Sequence, residues 1–123
     1  MIVGVGIDIV SISRFADKLK NRALVEKLFS LGEITYCEST AKKEQHYAAR
    51  FAAKEAFLKA TGKGMMMSFD LKDIELIKDE SEHPTIHLRG DFQKRKTEEG
   101  WRSIHVSLSH EGDNAIAIVI IEK

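Results

Sequence analysis

The chain has 123 residues, which fits one folded domain large enough to bury its own hydrophobic core. Its nineteen basic and nineteen acidic residues cancel, so the overall charge gives no reason to expect nucleic-acid binding. Because Cys37 is the single cysteine, an internal disulfide is excluded and a reducing compartment is favoured. We expect Cys37 to be structural and not a nucleophile. No basic leader precedes the first apolar run, and the apolar stretch from Ala115 to Ile121 is too short to span a bilayer. We therefore expect a single cytoplasmic domain, residues 1–123.

Alternating side chains predict a first strand over residues 2–10. Val3, Val5, Ile7 and Ile9 lie on one face, while Gly4, Gly6 and Asp8 lie on the other. Glycine within a strand often marks the close approach of another backbone or of a ligand. Ser11 or Ser13 is expected to cap a following helix whose outer edge is basic, with Arg14, Lys18 and Arg22. Two short helical segments follow, over about 23–29 and, after a turn at 30–33, through Cys37.

A long helix is predicted from a cap at Ser39 or Thr40 to Thr61, with Gly62 ending it. Its alanines, Ala52, Ala56 and Ala60, share a face that can approach the glycine face of the first strand, which would bring Asp8 near Glu55. The helix has little polar surface, so most of it should be buried.

Two acidic residues leave alternatives open when judged on residue pattern alone. Glu55 and Lys59, four positions apart, form either a structural salt bridge or part of a ligand site. Asp8 either accepts local backbone and cap hydrogen bonds or joins Glu55 in holding a cation such as Mg²⁺.

The second half of the chain alternates hairpins with one helix. After an apolar loop with Met65, Met66 and Met67, strands are predicted over 73–78 and 85–88, then a helix capped by Asp91 and ended by Gly100. Strands over 103–109 and 115–121 complete the chain, and the last is apolar on both faces, so it is central or covered by another subunit. This order predicts an α+β fold, with a mainly antiparallel sheet packed on the long central helix.

Two further features are weak signals by themselves. His105, Ser107 and Ser109 share one strand face, which suits a phosphate or a ribose but also an ordinary hydrated sheet surface. The segment Gly62-Lys63-Gly64 offers backbone N–H groups and an ammonium, without the spacing of a P-loop.

Three separated segments resemble a known family. GIDIV at 6–10, RFAAKEAFLKA at 50–60 and HVSLSH at 105–110 are similar to the holo-acyl-carrier-protein synthases, the short class of 4′-phosphopantetheinyl transferases. The resemblance covers the whole length in order, so it is far more specific than any one segment.

The resemblance implies the 4′-phosphopantetheinyl transferase fold and a function in fatty acid biosynthesis. That function is transfer of 4′-phosphopantetheine from coenzyme A to a serine of apo-acyl carrier protein, releasing adenosine 3′,5′-bisphosphate, with Mg²⁺ required. Asp8 and Glu55 match the metal ligands, and Lys59 matches the lysine beside the pyrophosphate. The base for the serine is Glu55 or a water held by the metal.

The resemblance also implies coenzyme A contacts and partners. The matching contacts are Arg50, Lys59, Gly62, Lys63, Gly64 and His105, with Lys42 and Lys43 as looser candidates. The short class is typically a homotrimer with active sites between subunits, so His105 is expected to serve a neighbouring subunit. The acidic acyl carrier protein would then dock on Arg14, Lys18 and Arg22.

Two other functions compete with this one. The first is a different Mg²⁺-dependent phosphoryl or nucleotidyl transferase that uses the same residues. The second is a trimeric module that binds coenzyme A or an acidic partner without turnover. The presence of all three residues Asp8, Glu55 and Lys59 argues against such a module.

Overall fold

The computed structural model describes residues 1–62 and 70–123. Within these ranges the elements are β1 (Ile2–Ser11), α1 (Ile12–Lys18), α2 (Arg22–Leu28), α3 (Leu31–Glu38), α4 (Lys43–Ala60), a 3₁₀ turn (Leu71–Asp73), β2 (Ile74–Lys78), β3 (Pro84–Leu88), α5 (Gly90–Glu99), β4 (Ser103–Glu111) and β5 (Asn114–Glu122). The predicted methionine loop, with Lys63 and Gly64 before it, lies outside the described residues.

The strands form antiparallel pairs in two sheets. A three-stranded sheet has the order β1-β5-β4, and β2 and β3 form a separate hairpin. The predicted α+β fold with antiparallel pairing is confirmed, although the expected single sheet is divided in two. β5 is central, which explains its apolar character: Ala117, Val119 and Ile121 are buried in the core beneath α4.

Close packing of α4 on β1 places two backbones nearly in contact. A Cβ atom on Gly4 would lie 1.8 Å from the carbonyl oxygen of Ala60, and one on Gly6 would lie 1.9 Å from that of Ala56. No side chain fits at either distance, so the strand needs glycine at both positions. The predicted docking of the alanine face on the glycine face is therefore confirmed, and it sets Asp8 beside α4.

The predicted cap of α4 is wrong. Ser39 and Thr40 belong to the end of α3, where their hydroxyls donate to the carbonyl oxygens of Tyr36 and Cys37 at 2.6 and 2.7 Å. Because these hydroxyls bond to carbonyl oxygens in the last turn of α3, they are not available to α4. That helix begins at Lys43 without a side-chain cap.

Two other helix starts differ from prediction by a few residues. Ser30 caps α3 and forms a reciprocal capping box with Glu33, so this helix begins inside the predicted turn. Asp91 lies in the first turn of α5 and Arg89 is the residue before the helix, so Asp91 is not the cap. The predicted stop at Gly100 is confirmed by its left-handed backbone, with φ of 74°.

A buried ion pair joins α4 to the elements around it. The ammonium of Lys54 donates to Glu33 at 2.8 Å and to the carbonyl oxygen of Leu71 at 2.9 Å, and the other Glu33 oxygen accepts the amide of Leu76 at 3.1 Å. Burial lowers the pKa of Lys54, while the Glu33 carboxylate opposes that shift. With both charged groups hydrogen-bonded, the pair fixes α4 against α3 and β2.

The single cysteine is part of the core. Cys37 is fully buried, and burial raises its pKa to about 11. A thiol protonated at neutral pH is a poor nucleophile, which agrees with the structural role expected for it. Among the described residues, no helix combines the length and the apolar composition that crossing a membrane requires.

Candidate active site

A groove of about 520 Å³ opens between β1, α1 and α4. Each of the three elements contributes charged side chains to its lining: Asp8 from β1, Arg14 and Lys18 from α1, and Glu55 and Lys59 from α4. The sequence predicted that Asp8 and Glu55 would share one region, and the packing of β1 on α4 is what brings the two acids together.

Lys59 pairs with Asp8. Its Nζ lies 3.0 Å from Asp8 Oδ1 and also donates to the carbonyl oxygen of Ile7 at 3.0 Å. The alternative of a structural Glu55–Lys59 salt bridge is wrong, because within the described ranges Lys59 forms its ion pair with the strand. The lysine thus spans from the helix to the backbone of β1, with half of its side chain still exposed.

Glu55 is the buried acid of the groove, with 6% of its surface exposed. Burial raises its pKa, the negative charge of Asp8 raises it further, and the positive charge of Lys59 opposes both. Two carboxylates that line one groove favour a nearby cation, and in the chain alone the ammonium of Lys59 supplies one. Among the residues that can be described, no third acid, histidine or cysteine joins them to complete a metal cluster. Two carboxylates fit Mg²⁺, which commonly keeps several waters and substrate phosphate oxygens as its other ligands.

Arg14 and Lys18 form the basic wall of the groove. Lys18 Nζ lies 5.5 Å from the centroid of the Phe51 ring, at a distance suited to a cation–π contact. The predicted single basic helix is wrong in one respect: α1 ends at Lys18, and Arg22 begins α2, where it pairs with Glu26 at 3.2 Å. Asn21 caps α2, so the chain breaks between the two helices, and Arg22 is not part of the groove lining.

Arg50 lies on another side of α4, away from the groove. Its side chain is buried, with the guanidinium carbon 4.4 Å from the centroid of the Tyr36 ring, and its Nε has no hydrogen-bond partner among the described residues. Nearby His46 has its pKa lowered, first by burial and then by the positive charges of Arg50 and Lys78. Concentrated positive charge beside an unsatisfied donor suits an anion. Of the looser candidates, Lys42 is exposed and Lys43 pairs with Glu38 at 3.4 Å.

His105 lies on the opposite face of the sheet from Asp8. Its partner in the register is Ile120, which in turn faces Val5, so all three point away from α4. The Nε2 atom of His105 is 2.6 Å from Glu122 Oε1. Within one chain, therefore, His105 is not brought together with Asp8 and Glu55.

The glycine segment after α4 is only partly described. Gly62 follows α4 with a φ of 77°, and its amide donates to the carbonyl oxygen of Lys59 at 3.1 Å. Among the described residues, nothing lies within 4 Å of the position that a Cβ atom on Gly62 would take. Lys63 and Gly64 are outside the described residues.

One residue beside the groove was not predicted from the sequence. Asp113, in the turn between β4 and β5, hydrogen-bonds to Ser11 and Ser13 at the start of α1. The contact spans about a hundred positions, and no local pattern in the sequence signals it.

Comparison with known proteins supports the resemblance of the three segments. A family model described as the 4′-phosphopantetheinyl transferase superfamily matches residues 4–119. The holo-[acyl-carrier-protein] synthase of Geobacter sulfurreducens is 45% identical over 126 residues, covering 100% of this chain and 99% of that protein.

Solved structures show the same similarity. The holo-[acyl-carrier-protein] synthase of Neisseria meningitidis has a TM-score of 0.91 and 32% identity, covering 100% of both chains. That of Helicobacter pylori, solved in complex with coenzyme A, has a TM-score of 0.84 and 32% identity, covering 96% of this chain and 99% of the other. The family expected from the sequence is confirmed, and the chain belongs to the holo-[acyl-carrier-protein] synthases of the 4′-phosphopantetheinyl transferase superfamily.

Proposed function

We propose that this chain transfers 4′-phosphopantetheine from coenzyme A to a serine of apo-acyl carrier protein in fatty acid biosynthesis. The products are holo-acyl carrier protein and adenosine 3′,5′-bisphosphate. The chain belongs to this family, and one observation carries the proposal. Asp8, Glu55 and Lys59 converge in one groove, and the basic edge of α1 forms a wall of that groove.

The reaction exchanges one phosphorus–oxygen bond for another. The serine oxygen bonds to the pantetheine-linked phosphorus, the bond from that phosphorus to the bridging oxygen breaks, and adenosine 3′,5′-bisphosphate leaves with the bond's electron pair. The serine proton would be accepted by Glu55 or by a water held by the metal. In the metal-free chain, burial and then the charge of Asp8 raise the pKa of Glu55, so its free carboxylate is a stronger base than an exposed glutamate. Lys59 is suited to offset the negative charge that builds on the leaving phosphate.

Asp8 and Glu55 would hold Mg²⁺, which when bound supplies positive charge to the pyrophosphate. The support is their shared groove and the pKa of Glu55, which is raised first by burial and then by the negative charge of Asp8. The chain's own contribution is to aim both carboxylates, from β1 and α4, at one side of that groove.

Coenzyme A would contact Arg50, Lys59, Gly62, Lys63, Gly64 and His105, as the family resemblance implies. The support for these contacts is the Nε atom of Arg50, which has no hydrogen-bond partner among the described residues and lies near other positive charges. The coenzyme A complex of the Helicobacter pylori relative is consistent with this substrate.

A homotrimer with sites between subunits is part of the proposal. The face of β1 opposite α4 exposes Val5, Ile7 and Ile9, which are 54%, 60% and 60% exposed, and the register sets them beside isoleucines of β5. A contiguous apolar patch of this kind is typical of an interaction surface. His105 lies on the same face, where it could reach a neighbouring subunit's groove. A single domain over residues 1–123 and a cytoplasmic location stay predictions of the sequence.

The test is to incubate the protein with coenzyme A, Mg²⁺ and a folded apo-acyl carrier protein, and then to weigh the intact acceptor. We expect a mass increase of one phosphopantetheine, absent when the acceptor serine is replaced by alanine. An unmodified acceptor would reject the transferase and favour the binding module. Modification of a different acceptor class alone would favour the other phosphoryl transferase.

A further inference from the structure

The turn between β4 and β5 lies directly beside the start of α1, because Ser11 pairs with Asn114 in the sheet register. Asp113 Oδ2 accepts hydrogen bonds from the hydroxyls of Ser11 at 2.9 Å and Ser13 at 2.7 Å, and Oδ1 accepts the Ser13 amide at 2.9 Å. The backbone oxygen of Asp113 accepts the amide of Ile12 at 2.7 Å. One residue of the turn therefore makes four hydrogen bonds to three consecutive residues.

These bonds satisfy a need that α1 cannot meet alone. A helix leaves its first amides unpaired and carries partial positive charge at that end. α1 has seven residues and no acid in its first turn, and its own cap, Ser11, accepts the Arg14 amide at 3.3 Å. Asp113 supplies the missing acceptors and negative charge, and the hydrogen bonds from Ser13 and then Ser11 lower its pKa, which keeps it ionised.

The helix held in this way carries one wall of the groove. Arg14 and Lys18 project from α1 into the groove lining, while Phe15 is buried against the core. The acids and lysine of the opposite side stand on β1 and α4, which approach each other closely at Gly4 and Gly6, whereas Asp113 contacts β1 only at its last residue, Ser11. A change at Asp113 should therefore move the basic wall and leave the rest of the site in place.

We propose that Asp113 is a positioning residue for the protein substrate. From the β4–β5 turn it sets the orientation of α1, and so the direction in which Arg14 and Lys18 meet the acidic carrier protein. This inference rests on the proposed function, and it deepens that function by assigning part of the recognition of the carrier protein to a residue that does not touch it.

The direction in which the KM for carrier protein changes distinguishes a positioning role of Asp113 from a purely electrostatic one. Asp113 is negative and close enough to Arg14 for the arginine to contribute to its lowered pKa. If it acted only through its charge, its neutralisation would make the wall more positive and lower the KM for an acidic carrier protein. A positioning role predicts the opposite, a higher KM, because α1 loses its anchor.

The experiment compares Asp113→Ala and Asp113→Asn with Ser13→Ala, which keeps the charge of Asp113 but removes one of the hydrogen bonds to it. Glu111→Gln is the matched control, since it removes an acid two residues away in the same hairpin. Steady-state kinetics give the KM for carrier protein, the KM for coenzyme A and kcat, and thermal unfolding checks the fold.

We expect Asp113→Ala to raise the KM for carrier protein by about fivefold, the size of effect of a lost helix cap, with kcat and the KM for coenzyme A within about twofold. Ser13→Ala should give a smaller rise, and Glu111→Gln none. An unchanged or lowered KM for carrier protein in the Asp113 variants, or an equal loss in kcat and both KM values, overturns the inference. If Asp113→Ala does not fold, Asp113→Asn and Ser13→Ala decide by the same criteria. A wild-type protein that modifies no carrier protein instead rejects the proposed function, and this inference with it.

Discussion

Lys59 is held against Asp8, with its Nζ 3.0 Å from the carboxylate Oδ1, although Glu55 lies one turn earlier on its own helix. The glycines of β1 let the strand approach α4 so closely that the lysine reaches both the Asp8 side chain and the neighbouring backbone. The ammonium is thus paired with one of the two carboxylates proposed to hold Mg²⁺. A bound metal ion would compete with Lys59 for Asp8, and the lysine would then be available to contact a phosphate.

Replacing Lys59 with methionine should therefore have opposite effects on metal binding and on turnover. We expect Mg²⁺ to bind the variant up to about fivefold more tightly, since a partly exposed ion pair contributes little. Turnover should fall on the order of 10²-fold, because a cation at the leaving group is lost. Calorimetric Mg²⁺ titration of the protein alone measures the first effect, with Lys59→Arg as the charge-preserving control. Equal Mg²⁺ affinity in wild type and Lys59→Met would reject the competition.

Glu55→Gln should stabilise the metal-free protein while abolishing activity. Burial and Asp8 raise the pKa of Glu55 in the folded state, so the fold disfavours the ionised form. Well below the ordinary glutamate pKa of about 4.3, the side chain at position 55 is neutral in the wild type as well as in Glu55→Gln, so the two proteins should be similarly stable. As pH rises above that value, the wild type should lose free energy of unfolding relative to the variant.

Urea unfolding in chelator at pH 4 and pH 8 measures this difference. Added Mg²⁺ should stabilise the wild type and not the variant. A variant that is less stable than wild type at pH 8 in chelator would contradict the environment assigned to Glu55.

Gly6→Ala should disrupt the contact that brings the two acids together. The added methyl would overlap the Ala56 carbonyl oxygen, so β1 must move away from α4. We expect the free energy of unfolding to fall by at least about 1–3 kcal/mol, and the folded fraction to show reduced turnover. Gly100→Ala is the control. Alanine in the left-handed backbone of position 100 should cost roughly 1 kcal/mol of stability, but a Cβ atom there would meet nothing within 4 Å. Turnover equal in the two variants would show that the approach of β1 does not set the site.

The success and failure of the sequence predictions follow from the range of the interactions. The face of Gly4 and Gly6 and the alanines of α4 are local patterns, and their complementary shape was enough to predict the pairing that creates the groove. The predicted cap of α4 was wrong because Ser39 and Thr40 lie between two helices and could serve either, and their hydroxyls bond to carbonyl oxygens three residues earlier, in α3. Neither the partner of Lys59 nor the contacts of Asp113 could be predicted, because each depends on residues far away in the chain.

Arg14→Glu should weaken recognition of the carrier protein more than Arg22→Glu. Arg14 lines the groove, whereas Arg22 begins another helix and already pairs with Glu26. We expect the KM for carrier protein to rise by about tenfold for Arg14→Glu at low salt, and the difference from wild type to shrink at high salt. Kinetics over a salt series measure this. Equal effects of the two reversals, or a KM independent of salt, would contradict docking on α1.

Ile7→Asp should break the proposed trimer. The change places a charge in the exposed apolar face, where another subunit would have to bury it. Sedimentation should show a smaller species that has also lost activity. Ile77→Asp is the matched control, because Ile77 is a partly exposed isoleucine of the separate β2–β3 sheet. If Ile7→Asp sediments like the wild type, this face is not the subunit interface.

The most direct measurement is the intact mass of apo-acyl carrier protein after incubation with coenzyme A, Mg²⁺ and either the wild-type enzyme or Asp8→Asn. The variant keeps the size of the side chain but removes the negative charge that the ion pair with Lys59 and the proposed metal site share. We predict that the wild type adds one phosphopantetheine to the acceptor serine, and that the folded variant leaves nearly all of the acceptor unmodified in the same time. Full modification by Asp8→Asn, or none by the wild type, would contradict the proposed mechanism.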